Sequence, residues 1–296
     1  MPEPYYISDA HLMDYQVYRL PGVNALFRGP PVESDEYVAC IGAAQTFGRF
    51  VQEPFPALLS KALDIDVLNL GHGGKGPSFH LGTEGVMDYV NRAKLVVVQI
   101  LSGRSQSNSL FTLDRHGMYG TSRGQKMSAD NFYNWLLEQD AETIAEVVAE
   151  TRANYVASMK KLLDAIKPPK ILFWFSVRTP KYDERHEPPA WRLFGEFPQL
   201  VNAEMVAELR GHADRYVECV SRNGLPQNIV DRNGAPAEFL SHMKSPTEPV
   251  MSGENTYYPS PEMHVEAAAL LAPVCRMLLR GSGPRAEGVD SAASPQ

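Results

Sequence analysis

Two stretches of the chain, Lys94-Leu95-Val96-Val97-Val98-Gln99-Ile100-Leu101 and Lys170-Ile171-Leu172-Phe173-Trp174-Phe175-Ser176-Val177, run with scarcely a polar break. A strand with one wet face alternates polar and apolar residues. Runs of this kind therefore belong to strands buried on both faces, as in a parallel sheet covered by helices. Residues 36–42 and 65–70 are shorter runs of the same type. Between them Phe55, Leu58, Leu59, Ala62 and Leu63 keep helical spacing, and Pro54 and Pro56 fall at the helix start, where proline is tolerated. The longest helix is expected from about Ala141 to Ile166, with Ile144, Val148, Tyr155, Met159, Leu162 and Ile166 on its buried stripe. A last helix is expected to begin at Ser260-Pro261, a cap followed by proline at the first helical position, turning Val265, Ala268, Ala272, Cys275 and Leu279 inward. Strand and helix alternating in this order predict a three-layer α/β/α domain on a parallel sheet.

Three segments interrupt that rhythm. Gly103 to Asn134 and Thr179 to Asn202 read as loop insertions, the first long and polar, the second rich in proline and expected to cover part of the surface. The Gly-, Ser-, Ala- and Pro-rich tail has the composition of a chain without fixed structure. The expected organisation is thus an N-terminal arm over 1–35, one α/β domain over 36–280 and a tail over 281–296. With 35 acidic against 28 basic residues the net charge is −7, and no block of like charge stands out, which argues against nucleic acid as a partner. The start lacks the basic and apolar regions of a signal peptide and no apolar stretch has the length of a membrane span, so a cytoplasmic protein with no membrane partner is expected. Cys40, Cys219 and Cys275 are far apart in apolar or helical contexts and are expected to be buried free thiols rather than disulfide or zinc partners. His72 and His80 are too isolated to claim a metal, and no cofactor is expected.

The glycine-rich segment Gly42-Ala43-Ala44-Gln45-Thr46-Phe47-Gly48 follows the first strand, a place where α/β chains build sites. It resembles the first block of the SGNH/GDSL-type serine hydrolases, Gly-Asp-Ser-x-Thr-x-Gly, with Gly42, Thr46 and Gly48 matching and Ala44 at the nucleophile position. Asn69-Leu70-Gly71-His72-Gly73-Gly74 resembles the second block, whose glycine amide helps form an oxyanion hole. The third block, Gly-x-Asn-Asp, falls on Gly103-Arg104-Ser105-Gln106, where the glycine is kept and the asparagine is not. Asn255-Thr256-Tyr257-Tyr258-Pro259-Ser260-Pro261-Glu262-Met263-His264 is similar to the last block, Asp-x-x-His before a Pro-Ser-Pro helix start. Asn255 then stands for the aspartate and Tyr258 for the histidine; a shifted alignment makes His264 the histidine but leaves Pro261 at the acid position. The resemblance implies a flavodoxin-like SGNH fold in which all three triad members are replaced. The first and last segments also resemble an uncharacterised bacterial family.

That implies binding of a small polar ligand, a carbohydrate or acylated metabolite, without serine-hydrolase chemistry. Ligand contacts are expected from Gly42, Ala44, Gln45, Gly73, Gly74, Gly103, Arg104, Asn108, Asn255 and Tyr258. Arg104, on a polar loop at a strand end, suits a bound carboxylate, phosphate or sulfate, and Trp191 a sugar face. Two enzyme readings, and a structural or complex-forming subunit, stand beside this one. A hydrolase or acyltransferase with a relocated pair would join Ser105 or Thr46 to His264. A phosphate- or sulfate-group transferase would grip its donor with Thr46, Arg49, Arg104 and nearby serines, though no Walker-type lysine motif is present.

Overall fold

Five parallel strands form the central sheet: β1 (Tyr37–Gly42), β2 (Asp66–Gly71), β3 (Leu95–Gln99), β4 (Lys170–Ser176) and β5 (Arg215–Val220). They lie in the order β5-β4-β3-β1-β2, with β1 flanked by β2 and β3. Read from the other edge this is the flavodoxin-like order 2-1-3-4-5. The chain winds one way from β1 to β2 and the other way from β3 onward, opening a switch point between β1 and β3. The computed structural model describes residues 4–114, 119–139, 143–241 and 250–281.

The two faces of the sheet carry separate cores, as strands buried on both sides require. On one, Ala39, Ile41, Val96, Val98, Leu172 and Trp174 pack with Tyr155, Met159 and Leu162 of a helix over Thr143–Ala165 and with Met205 and Leu209 of a helix over Ala203–Arg210. On the other, Val38, Cys40, Val97, Phe173 and Phe175 meet Phe55 and Leu59 of the helix Phe55–Leu63, and Met263, Ala267, Leu271 and Cys275 of the C-terminal helix Pro261–Gly281. Each fully buried aliphatic or aromatic side chain here contributes roughly 1.5–3 kcal/mol. The final helix is turned from the expected stripe: Val265 is exposed, and Met263, Ala267 and Leu271 face the sheet with Ala268, Ala272 and Cys275. All three cysteines are buried and free. No helix among the described residues is long and apolar enough to cross a membrane.

β5 escaped the sequence reading because Arg215-Tyr216-Val217-Glu218-Cys219-Val220 is an edge strand in which only Val217 and Cys219 are buried. The segment 103–134 is not the irregular loop expected. It holds a three-stranded antiparallel sheet of Thr112–Leu113, Tyr119–Ser122 and Gln125–Ser128 and runs into the helix Ala129–Gln139. Its hairpin turns at Arg123-Gly124, both at positive φ, the geometry that fits the twist of two-residue hairpins. Phe111, Phe132, Tyr133 and Leu136 then pack against Leu193, Phe194 and Leu200, so the two insertions share a small core of their own. Residues 4–35 are likewise fixed to the domain, by a single helical turn at Tyr5–Ser8, a pairing of Tyr18–Arg19 with Leu26–Phe27, and the buried Leu12, Tyr15, Leu20, Val23 and Phe27. Residues 282–296, most of the expected tail, lie outside the described residues.

Candidate functional site

The switch point is organised by one buried amide. Gln99, at the end of β3, reaches across to the turn after β1, where its Oε1 accepts from Ala43 N (3.0 Å), Thr46 N (3.2 Å) and Thr46 Oγ1 (2.6 Å). It thereby satisfies amides at the start of the short helix Ala44–Phe47, which has no side-chain cap at Ala43. Gly42 is required here, since a Cβ would overlap both Thr46 Oγ1 and Gln99 Oε1. Asn69 plays the matching role from β2, donating through Nδ2 to Thr46 O (3.0 Å) and accepting from Gly71 N (2.9 Å) through Oδ1. The Gly71 amide is thus bonded within its own strand end.

The three catalytic candidates are not assembled into a pair. Thr46 is fully buried with its hydroxyl on Gln99. His264 is 0 % exposed: its ring lies between Phe55 and Phe175, and Nδ1 accepts from Phe55 N at 2.9 Å. Burial, reinforced by Arg28, holds its pKa down to about 3. A neutral imidazole thus accepts at the start of the helix Phe55–Leu63 through Nδ1. Ser105 is half-buried in a turn closed by Gln106 N on Gly103 O (3.2 Å). Asn108, expected at the ligand, holds its own loop: Oδ1 accepts from Leu110 N (3.0 Å) and Phe111 N (2.8 Å), and Nδ2 donates to Thr151 Oγ1 (3.0 Å).

Most of the remaining candidates do converge, through residues that the sequence did not single out. Tyr5 lies on Gly73, where a Cβ would strike its ring, and its hydroxyl is 3.2 Å from that of Tyr258. Gly74, at φ 70°, turns the loop that follows. Tyr258 Oη accepts from Arg49 Nη1 at 3.1 Å. The Arg49 guanidinium is gripped by Asp9 through two 2.8 Å bonds and lies within 4.3–5.0 Å of the rings of Tyr5, Phe50 and Tyr258. Asp9 also accepts from Tyr15 Oη (3.0 Å) and Ser8 Oγ (3.1 Å). Arg49 and Asp9 are only 7 % and 1 % exposed.

Asn255 explains why an amide and not an acid stands at its position. Its Oδ1 accepts from Tyr257 N (3.1 Å) and Tyr258 N (2.8 Å), and its Nδ2 donates to Tyr258 O (2.8 Å) and Gln227 Oε1 (2.9 Å). A carboxylate has acceptors only and could make half of these. Across the site, Gly103 N bonds Gln199 O at 2.8 Å while Gln199 Nε2 donates to Tyr257 Oη, tying the loop after β3 to the last loop before the C-terminal helix. Burial pushes the Tyr257 hydroxyl up to about 12 against the pull of Arg104. Arg104 donates from Nη1 to Asp130 (2.6 Å) and lies over Phe194 at 5.8 Å. A small cavity of about 30 Å³, lined by Gln45, Ser176, Glu196, Phe197 and Tyr257 among others, opens beside these loops. Ala44, at the head of its short helix, is 5 % exposed. Neither ring nitrogen of the buried His80 makes a well-formed hydrogen bond, and burial with the neighbouring His72 holds its pKa down to about 3. Among the described residues no three His, Cys, Asp or Glu side chains are grouped to hold a metal.

Sequence reasoning missed Gln99, Gln199, Tyr5 and Asp9. Gln99 had a signal, being the single polar residue in Leu95–Leu101. Tyr5 and Asp9 had none, because their roles come from the arm folding back over the sheet.

The family model described as "Domain of unknown function (DUF6473)" matches residues 5–116 and 131–279. The chain belongs to this family. No curated protein matches it. Similar solved structures include a carbohydrate esterase family 2 enzyme with a carbohydrate-binding domain from Corynascus (Myceliophthora fergusii), 13 % identical over 86 % of this chain and 69 % of that one, TM-score 0.43. A family two carbohydrate esterase from Clostridium thermocellum, solved with cellohexaose, is 12 % identical over 86 % and 68 % of the two chains, TM-score 0.41. A catalytic mutant of the acetylxylan esterase Axe2 from Geobacillus stearothermophilus is 15 % identical over 86 % and 99 %, TM-score 0.38. The DUF6473 chain has the SGNH-like α/β/α fold, which its strand order and buried parallel sheet display directly.

Proposed function

We propose that this protein binds a small polar ligand, a carbohydrate or acylated metabolite, at the carboxyl ends of its strands and does not form an acyl-enzyme there. The observation that carries this reading is the commitment of the groups a serine-hydrolase mechanism needs. Residue 44 is an alanine, the Thr46 hydroxyl is spent on Gln99, and the buried imidazole of His264 caps a helix. A serine-hydrolase type of acyl-enzyme requires a hydroxyl or thiol within reach of a base. At the position aligned with the histidine, the Tyr258 hydroxyl is bound to Arg49 and Tyr5, and a phenol does not serve as the general base that an imidazole would. The polar lining of Gln45 and Tyr257 and the exposed Trp191 one turn before Phe194 suit hydroxyl groups and a sugar face.

The test is paired. Binding of neutral and O-acetylated oligosaccharides is followed by calorimetry, and hydrolysis of p-nitrophenyl acetate is measured for the wild type, Ala44→Gly, Ala44→Ser and His264→Ala. Heat of binding without turnover is expected, and Ala44→Ser gains little because no imidazole accepts its proton. Wild-type esterase activity that Ala44→Gly leaves intact and His264→Ala abolishes would overturn the reading.

A further inference from the structure

The three tyrosine hydroxyls at the strand ends supply more protons than the protein accepts. Tyr258 Oη accepts a hydrogen bond from Arg49 Nη1, and one hydroxyl of the Tyr5–Tyr258 pair donates to the other, so one O–H of that pair remains. Tyr257 Oη already accepts from Gln199 Nε2, which leaves its own O–H to give. Arg104 spends Nη1 on Asp130 and makes no other hydrogen bond among the described residues, so four of its five N–H donors remain. These groups share one neighbourhood. The rings of Tyr257 and Tyr258 are 5.0 Å apart, those of Tyr5 and Tyr258 are 6.0 Å apart, and Arg104 is one residue from Gly103, which is tied to the Gln199 that holds Tyr257. Asp9 is saturated by Arg49, Tyr15 and Ser8.

We infer that the ligand carries an oxyanion, a carboxylate, sulfate or phosphate, bound by the Arg104 guanidinium together with the hydroxyls of Tyr257 and the Tyr5–Tyr258 pair. A cationic donor on a planar fork, flanked by neutral hydroxyls, is an arrangement that an anionic oxygen satisfies more strongly than a neutral sugar hydroxyl. The tyrosines serve as donors because they stay protonated: burial raises Tyr257 to about 12 and holds Tyr5 well above its usual value. Asp130 is the built-in competitor. It lies at the edge, one-third exposed, and neutralises Arg104 when no ligand anion is bound.

The inference rests on the strand ends being the ligand site and adds the ligand's charge. The full chain is titrated calorimetrically with sodium sulfate, sodium phosphate, sodium glucuronate and neutral glucose at constant ionic strength made up with sodium chloride. At least one oxyanion is expected to bind better than glucose, and comparison of the three separates carboxylate from tetrahedral sources. Arg104→Gln is expected to weaken that binding about tenfold or more. Asp130→Asn is expected to strengthen it, which a merely structural Arg104–Asp130 pair would not do; circular dichroism of both variants checks folding. Glucose binding with no oxyanion preference would overturn the charge while leaving the polar-ligand reading in place. Oxyanion affinity unchanged in both variants, or no oxyanion binding at all, would overturn the inference. Esterase turnover that overturns the binding reading is read separately from these titrations.

Discussion

Replacing Asp9 by asparagine tests the pin that closes the amino-terminal turn over the sheet. The Arg49–Asp9 pair is buried, with two 2.8 Å bonds, and Asp9 accepts two further hydroxyl bonds, from Tyr15 and Ser8. The substituted side chain would keep the volume and one acceptor oxygen but present an amide N–H₂ to donors and leave the guanidinium charged without its counterion. Removing one partner of a buried pair costs about 3–5 kcal/mol, because the remaining charge is uncompensated. Arg49 also faces three aromatic rings within 5.0 Å and the Tyr258 hydroxyl. Those cation–π contacts offset some of the loss, so the expected cost lies near the lower end, about 3 kcal/mol. Urea unfolding of the wild type, Asp9→Asn, Arg49→Met and the double variant gives the coupling as a cycle. The double variant should regain part of the loss, since an apolar side chain carries no charge to strand among Tyr5, Phe50 and Tyr258. A loss under about 1 kcal/mol in Asp9→Asn, the value of an exposed pair, would refute the claim that this contact holds the turn in place.

Asn255→Asp, the change that would restore an acid at the position aligned with the triad, is expected to destabilise the fold by about 2–4 kcal/mol in urea melts, because it removes both Nδ2 donors and sets a charge against Tyr258 O and Gln227 Oε1. Gly42→Ala is expected to cost about 1–3 kcal/mol by overpacking against Thr46 Oγ1 and Gln99 Oε1, again read from urea midpoints. His80 and His264 have folded pKa values of about 3, below the unfolded value near 6.5, so the unfolded state binds more protons as pH falls. Their contribution is complete above about pH 6.5 and is lost downward from there toward about pH 3. Between about pH 7.5 and about pH 5.5 the pair should cost about 3 kcal/mol, and His264→Gln should flatten that slope, as urea unfolding at the two pH values will show.

How much of this was legible beforehand follows from where the information lies. Runs buried on both faces are local and unambiguous, which is why β1 to β4 stand within a residue or two of their expected bounds, while β5, half-wet at the sheet edge, carries too little apolar signal to be separated from a loop. The blocks at Gly42, Gly73, Gly103 and Asn255 were legible as places, because glycines and turn residues mark strand ends whatever the chemistry. Their chemistry was not. Whether Thr46 is a nucleophile or a cap depends on Gln99, fifty-three residues away, and whether His264 is a base or a buried acceptor depends on Phe55 N, two hundred and nine residues away. Titratable side chains near a strand end look alike in sequence. Their roles are set by partners from other segments, and an imidazole held neutral against a helix start by burial differs from a base only in what surrounds it. For the same reason Tyr5 is the most informative residue of the site. It arrives from a segment with no motif, lies on Gly73, and brings its hydroxyl to Tyr258, so the helical turn Tyr5–Ser8 and the last loop before the final helix meet at the strand ends.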